Sequence, residues 1–359
     1  MSKLTACVKI ATVLCAGLAV FLSQSNSAAA FDRNIAQLFA VLPAPTFPGD
    51  PNGGTRPEGL AVAPNGDVYV ATFDGSKKIF VFNENGGLLR TLTVGASSGF
   101  LLGLGFHPQT GAFLVIDFGA GKVLKVDKET GGASDFITLK TPAGTGLNAL
   151  TFDSTGNVYV SDSFNGAVWK SGPDGTVGKP PLSTPWVQHA LLTTTGDPPF
   201  GANGLAFNKA QSILFVNNTG NDTIVQIPVI SGGNPGTPAI FINSINGADG
   251  LVIDGDDNLW AAANQSDEIV VVDNTGKVLA KLGDFDGLVN DGTPKGLLFP
   301  ASPAFSRDGK TLYVTNLGLD LRVATGNPAN IAIDSAWTAQ VKHWTVSKIN
   351  TKFQALPNK

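Results

Sequence analysis

Six related segments constrain the fold of this chain more than any other feature. The first begins at Glu58 and reads EGLAVAPNGDVYVA, which is an apolar run, an Asn65-Gly66 turn and a second apolar run. Asn-Gly between two such runs is a strong hairpin signal. The later copies begin 44, 46, 55, 46 and 52 residues apart, at Leu102, Asn148, Asn203, Asp249 and Ala301. A hairpin that recurs roughly every 45 residues is typical of a β-propeller with about four strands per blade, so six copies predict six blades.

The remainder of the chain fits one all-β domain, residues 31–359. The 43 glycines and 22 prolines fall between the apolar runs, as a turn-rich fold requires. Apolar residues 35–42 and the alternating stretch 340–349 predict N- and C-terminal strands that share a blade and close the ring. Helix should be nearly absent from this domain. Three long connections, 180–202, 283–300 and 317–337, are either functional loops at the mouth of the propeller or surface decoration.

Residues 1–30 have the features of a secretory signal peptide. Lys3 and Lys9 precede a short apolar run, and the segment ends in Ala28-Ala29-Ala30, an A-x-A cleavage site. The alternative, an uncleaved anchor, is disfavoured because the apolar run is too short to span a bilayer. We therefore expect an exported protein, periplasmic or secreted, without a membrane attachment after cleavage. Both cysteines lie in this segment, so the mature chain has no disulfide.

Composition limits the partners of the protein. Only 14% of the residues are charged, the net charge is −4, and no Lys/Arg run occurs. This argues against nucleic acid as a partner. We expect a monomer that acts on a small-molecule substrate.

The first residues of the six copies are the candidate functional residues. The first strand of a propeller blade lies nearest the axis, so these six positions should form a ring around the central channel. We call them the ring positions, and their occupants are Glu58, Leu102, Asn148, Asn203, Asp249 and Ala301. Four carry side-chain oxygens and none is basic, which suits a divalent cation: Ca²⁺ first, Mg²⁺ or Mn²⁺ next, Zn²⁺ less so. The alternative is that they are turn residues that lead into strands.

The order Glu, Asn, Asn, Asp at successive inner strands resembles the SMP-30/gluconolactonase/LRE-like family of metal-dependent lactonases. The matching segments are Glu58-Gly59, Asn148-Ala149-Leu150, Asn203-Gly204-Leu205 and Asp249-Gly250-Leu251. The resemblance implies that Glu58, Asn203 and Asp249 hold one cation. It also implies that Asn148 contacts the substrate or completes the metal shell, and that Asp249 is the general base.

The sequence also departs from that family. Gly146 stands where some members carry a substrate-binding arginine, and Leu102 stands where the paraoxonase-like branch carries a catalytic histidine. Gly59-Leu60-Ala61-Val62 is closer to NHL repeats. The substrate is therefore open.

The favoured function is hydrolysis of a lactone or related ester with a divalent cation, with Asp249 and Asn148 as catalytic residues. In this mechanism the cation polarises the carbonyl group and a water molecule attacks it. One alternative is an NHL-like binding propeller without catalysis, whose channel metal, if present, is structural. The other is a propeller similar to strictosidine synthase, an enzyme without metal chemistry.

The first prediction concerns processing. N-terminal sequencing of the exported protein should find a mature chain that begins at or near Phe31, because the A-x-A site ends at Ala30. Recovery of the protein only from membranes, with Met1 intact, would contradict the signal-peptide interpretation.

Overall fold

The computed structural model describes residues 31–44, 55–324 and 335–352. The predicted signal peptide, residues 1–30, and part of the connection 317–337 lie outside the described residues. The described residues form six antiparallel sheets of at least four strands, one for each sequence copy, and a separate two-stranded hairpin. The prediction of an all-β, six-bladed propeller is confirmed.

The blades are numbered in the order of their ring positions, and each is listed from its inner to its outer strand. Blade 1 contains Pro57–Val62, Val68–Thr72, Lys78–Phe82 and Leu88–Thr93. Blade 2 contains Leu101–Phe106, Phe113–Asp117, Lys122–Val126 and Ala133–Ile137. Blade 3 contains Leu147–Phe152, Val158–Asp162, Ala167–Ser171 and Val187–Gln188. Blade 4 contains Ala202–Phe207, Ile213–Asn218, Thr223–Ile230 and Ala239–Asn243, with the short strand Asn234–Pro235 beside the third.

Blades 5 and 6 each take one strand from the N-terminal segment. Blade 5 contains Ala248–Ile253, Leu259–Ala263, Glu268–Val272 and Val278–Leu282, with Phe31–Asp32 added in parallel at its outer edge. Blade 6 contains Pro300–Phe305, Thr311–Asn316, Thr345–Asn350 and Gln37–Val41. Its outer pair is antiparallel, with Val41 opposite Thr345, so the two ends of the chain share a blade as predicted. The closure removes an open sheet edge.

The long connections contribute little regular structure. Residues 180–202 supply the short outer strand of blade 3 and a 3₁₀ turn, Ala190–Leu192. Residues 283–300 contain the hairpin Phe285–Leu288 and Pro294–Gly296. The other 3₁₀ turns are Ser231–Gly233 and Asn264–Ser266, and the helices are Leu321–Ala324 and Ser335–Thr338. Within the described ranges, no helix has the length and apolar character needed to cross a membrane.

The hydrophobic core lies between the blades. Each of the six neighbouring pairs of blades encloses its own cluster of buried side chains. Tyr69 of blade 1 packs on Phe113 of blade 2 at 5.0 Å between ring centroids, and Tyr159 of blade 3 packs on Phe207 of blade 4 at 4.9 Å. The aromatic residues that recur in the second strands therefore hold neighbouring blades together.

The inner strands approach one another closely because small residues follow the ring positions. A methyl group built on Gly59 would lie 2.1 Å from the Leu102 carbonyl oxygen, and one on Gly204 would lie 2.4 Å from the Asp249 carbonyl oxygen. Each inner strand contacts the inner strands of both neighbouring blades, including blade 6 against blade 1. Because these glycines have no side chains, the six inner strands can lie close to the propeller axis.

We predict that Gly204→Ala lowers the free energy of unfolding by about 1–3 kcal/mol, because the added methyl group meets only backbone atoms, which cannot move aside. The matched control is Gly255→Ala, where the added group would meet nothing within 4 Å. Urea unfolding of both variants measures the difference. Equal stability of the two variants would contradict the close-contact account.

Candidate functional site

Every ring position lies in a β-bulge. In blade 1, Pro57 faces Thr72 and Leu60 faces Val70, so Glu58 and Gly59 together face Ala71 alone. The same register shift occurs in the other five blades, between Leu101/Leu104, Leu147/Leu150, Ala202/Leu205, Ala248/Leu251 and Pro300/Pro303. A bulge bends the strand and re-aims a side chain. The first residues of the copies therefore belong to the inner strands and are not turn residues outside them.

The structure brings three of the four predicted oxygen-bearing residues together. Glu58, Asn203 and Asp249 are each no more than 5% exposed. The charge of Asp249 acts on the Glu58 carboxyl, and the Asn203 side chain hydrogen-bonds the Asp249 carboxylate. Asn148 is also 5% exposed at the equivalent bulge of blade 3. No hydrogen bond joins its amide to the other three among the described residues.

Asn203 is held by a chain of hydrogen bonds that sequence reasoning missed. Its Nδ2 donates to Thr219 Oγ1 at 2.9 Å, and Thr219 Oγ1 donates to the Ala248 carbonyl oxygen at 2.8 Å. The Asn203 side chain also interacts with the neighbouring Asp249 carboxyl group.

Two further asparagines support Asp249. Asn264 Nδ2 donates to Asp249 Oδ2 at 3.3 Å, and Asn217 Nδ2 donates to the Asp249 carbonyl oxygen at 2.7 Å. Asn217 lies inside the strand Ile213–Asn218, and Asn264 begins the 3₁₀ turn Asn264–Ser266. The available signal was the recurrence of polar residues at the ends of second strands, directly beside the ring positions.

The two carboxyl groups share a dry site, and this raises both pKa values. Burial raises the pKa of Glu58 well above its usual range, and the negative charge of Asp249 adds to the effect. Burial raises the pKa of Asp249 to about 7, although hydrogen bonds from Asn264 and Asn203 act in the opposite direction. The site therefore disfavours two negative charges unless a positive charge joins them.

A collar of apolar side chains lies two residues beyond the ring positions. The collar consists of Leu60, Leu104, Leu150, Leu205, Leu251 and Pro303, and all six line one cavity of about 430 Å³ along the inner strands. The collar places hydrocarbon on one side of the oxygen-bearing ring. This surrounding explains why burial is the main cause of both pKa shifts.

Three buried side-chain oxygens at this site have no hydrogen-bond partner. They are Glu58 Oε2, Asn217 Oδ1 and Asn264 Oδ1, and they are the complete set of such buried atoms in the described part of the chain. Each belongs to a residue that hydrogen-bonds Asp249 or interacts with its charge. Buried oxygens without a donor are costly, so their concentration around Asp249 would suit a positively charged or hydrogen-bond-donating ligand there.

The residues that fit a metal ion are two carboxylates and several amides. Among the described residues, no group of three or more His, Cys, Asp or Glu side chains is placed to hold a metal. A cation at the ring would therefore depend on Glu58, Asp249 and amide oxygens. Such a donor set matches hard cations.

We predict that the metal-free protein loses stability as the pH rises from about 4 to about 7. Both carboxyls ionise near pH 4 in the unfolded chain, whereas their pKa values are raised in the folded chain. The stability contributed by protonated Asp249 is therefore present below pH 4 and lost as the pH rises through about 7, and protonated Glu58 adds a loss in the same direction. Calorimetric melting in chelator should show this slope, and Asp249→Asn should reduce it.

The control for this measurement is Asp135→Asn. Asp135 pairs with Lys122 on the surface, and 54% of its side chain is exposed. Its replacement by asparagine should leave the dependence of stability on pH unchanged. If wild type and Asp249→Asn have the same slope, the two carboxyls do not share a dry site.

Comparison with known proteins supports the resemblance that the ring residues indicate. Residues 186–283 match the family model described as SMP-30/Gluconolactonase/LRE-like region. Mouse NHL repeat-containing protein 3 is 37% identical over 106 residues, which cover 28% of this chain and 30% of that protein. The chain thus spans less than a third of the length of this relative.

Solved structures share the fold. The calcium-binding protein regucalcin from Agrobacterium tumefaciens has a TM-score of 0.59 and 15% identity, over 92% of this chain and 99% of that chain. A gluconolactonase from Xanthomonas campestris has a TM-score of 0.55 and 18% identity, over 73% of this chain and 83% of that chain. The chain is thus a six-bladed propeller that resembles the SMP-30/gluconolactonase/LRE-like family and carries NHL-like repeat features.

Proposed function

We propose that this protein hydrolyses lactones or related carboxylic esters with the aid of one divalent cation held by Glu58, Asn203 and Asp249. The observation that carries the proposal is the set of unpartnered oxygens around Asp249, together with the buried pair of acidic groups. A cation at the ring would offset the repulsion between Glu58 and Asp249 and satisfy an orphaned Glu58 oxygen.

Calcium is the favoured ion. Carboxylate and amide oxygens are hard ligands, and Ca²⁺ accepts six to eight of them in flexible geometry. Zinc is disfavoured because it prefers nitrogen and sulfur donors. The description of regucalcin as a calcium-binding protein supports the same choice. Mg²⁺ and Mn²⁺ remain the next candidates.

A bound divalent cation would supply polarisation of the substrate carbonyl and stabilisation of the negative charge that develops on its oxygen. Asp249 is the candidate general base, because its carboxyl lies at the ring and is positioned by Asn203 and Asn264. Asn148, which makes no hydrogen bond with the other three, is the candidate for contact with the substrate.

A binding propeller without catalysis is the second candidate. The match to an NHL repeat-containing protein favours it. It accounts for the buried pair of carboxyl groups only through a structural cation, since burial of each ion costs several kcal/mol without one. The hydrolase proposal gives the pair a role.

We predict that chelation abolishes hydrolysis of a lactone panel and that Ca²⁺ restores it. Asp249→Ala should lower kcat/KM at least 1,000-fold, as expected when a ligand and a general base are lost together. Ca²⁺ should also raise the melting temperature of chelated wild type but not of Asp249→Ala, because only the folded site binds the ion. The surface variant Asp135→Asn is the control. Full activity and full metal content in Asp249→Ala would contradict the proposal.

Asn148→Ala separates substrate contact from metal binding. We expect it to lower kcat more than it weakens Ca²⁺ affinity, which calorimetric titration measures. A loss of Ca²⁺ affinity equal to that of Asn203→Ala would instead make Asn148 a full metal ligand.

A further inference from the structure

We propose that the substrate carries an apolar alkyl or aryl substituent that lies on a cluster of phenylalanines beside the ring. This inference rests on the proposed lactone hydrolysis and names the substrate class of the same site. The phenylalanine cluster consists of Phe73, Phe100, Phe118, Phe164 and Phe200.

Backbone hydrogen bonds fix part of the cluster at a set distance from the ring. The Phe73 amide donates to the Arg56 carbonyl, two residues before Glu58, at 2.9 Å. The Phe118 amide donates to the Phe100 carbonyl, two residues before Leu102, at 3.0 Å. Two residues of extended chain span about 7 Å. Phe73 and Phe118 therefore pair with the inner strands about 7 Å before the ring positions Glu58 and Leu102.

The five rings contact one another in a continuous surface. Phe73 packs on Phe100 and Phe118 at centroid distances of 5.3 and 5.5 Å. Phe164 packs on Phe118 and Phe200 at 5.7 and 5.6 Å. Phe100 and Phe164 remain 40% and 48% exposed, whereas the other three are half-buried. A contiguous exposed aromatic surface beside a polar site is typical of a ligand-binding surface.

Gly146 leaves room for the Phe164 side chain to pack against the inner strand of blade 3. A methyl group on Gly146 would lie 2.8 Å from the Phe164 ring, so the ring packs against the backbone itself. Gly146 is two residues from Asn148, the predicted substrate contact. Two residues of extended chain, about 7 Å, thus separate the backbone beneath Phe164 from the Asn148 position.

The residues next to the ring positions differ in polarity between blade 2 and blades 3, 4 and 5. On blade 2, the residues from the outside inwards are Phe100, Leu102 and Leu104, all apolar. At the positions equivalent to Phe118, blades 3, 4 and 5 carry Ser163, Thr219 and Asn264, fixed by the same type of backbone hydrogen bond. The ring positions of blades 3, 4 and 5 thus have polar neighbours at this point, whereas the ring position of blade 2 has apolar ones. A polyhydroxylated lactone would leave its hydroxyl groups without partners on the phenylalanine side.

The test is a series of γ-lactones from unsubstituted γ-butyrolactone to γ-undecalactone, with gluconolactone for comparison, assayed on the Ca²⁺-loaded protein. We expect kcat/KM to rise about two- to fourfold for each added methylene until the cluster is covered. Phe164→Ser should flatten this rise, so that kcat/KM falls more for γ-undecalactone than for γ-butyrolactone, whereas Phe164→Leu should keep most of the rise. Ile240→Ser, an equally exposed apolar position on the outer strand of blade 4, should change nothing.

No dependence on chain length, an equal loss in Ile240→Ser, or a preference for gluconolactone over every alkyl lactone would overturn the inference. If no lactone is hydrolysed, the proposed reaction fails, and titration calorimetry with γ-undecalactone then tests the surface separately. Binding to wild type that weakens at least fivefold in Phe164→Ser supports the apolar site. Equal binding to both, or no binding, overturns it.

Discussion

The close approach of six inner strands around one axis is the constraint on which the rest of the structure depends. Gly59, Gly103, Gly204 and Gly250 permit this approach, because a side chain at any of them would meet the backbone of the next blade. The bulge at each ring position belongs to the same arrangement, since it accommodates an extra residue where the strands are most crowded. Close strands and aligned bulges together place Glu58 and Asp249 near enough to affect each other's ionisation.

Burial of the Glu58 and Asp249 carboxyl groups close to each other destabilises the folded protein when both are charged. Hydrophobic packing between the blades stabilises the fold. The burial of two acidic groups at the ring positions offsets part of that stabilisation. Asn264, Asn203 and Thr219 hold the acidic groups and their neighbours in place, yet three oxygen atoms remain without donors. Burial of such groups costs free energy, which is the reverse of what residues that serve only stability contribute.

The sequence predicts most of the fold because one pattern is repeated. Each copy marks its own hairpin, and the strand signals at residues 35–42 and 340–349 predict how the ring closes. The ring residues are also predictable, since equivalent positions of a propeller meet at the axis. The roles of Asn217 and Asn264 are not, because polar residues at strand ends have many structural uses. Sequence reasoning also missed the phenylalanine cluster, which assembles Phe73 and Phe200 across several blades.

The most direct measurement is a crystal structure of the mature protein grown with Ca²⁺, with anomalous scattering data to identify the ion. We predict one calcium peak on the propeller axis, with Glu58, Asn203 and Asp249 oxygens at about 2.3–2.6 Å from it. No calcium at the ring, or calcium bound only at surface carboxylates, would contradict the central claim that the buried acidic pair is a cation site.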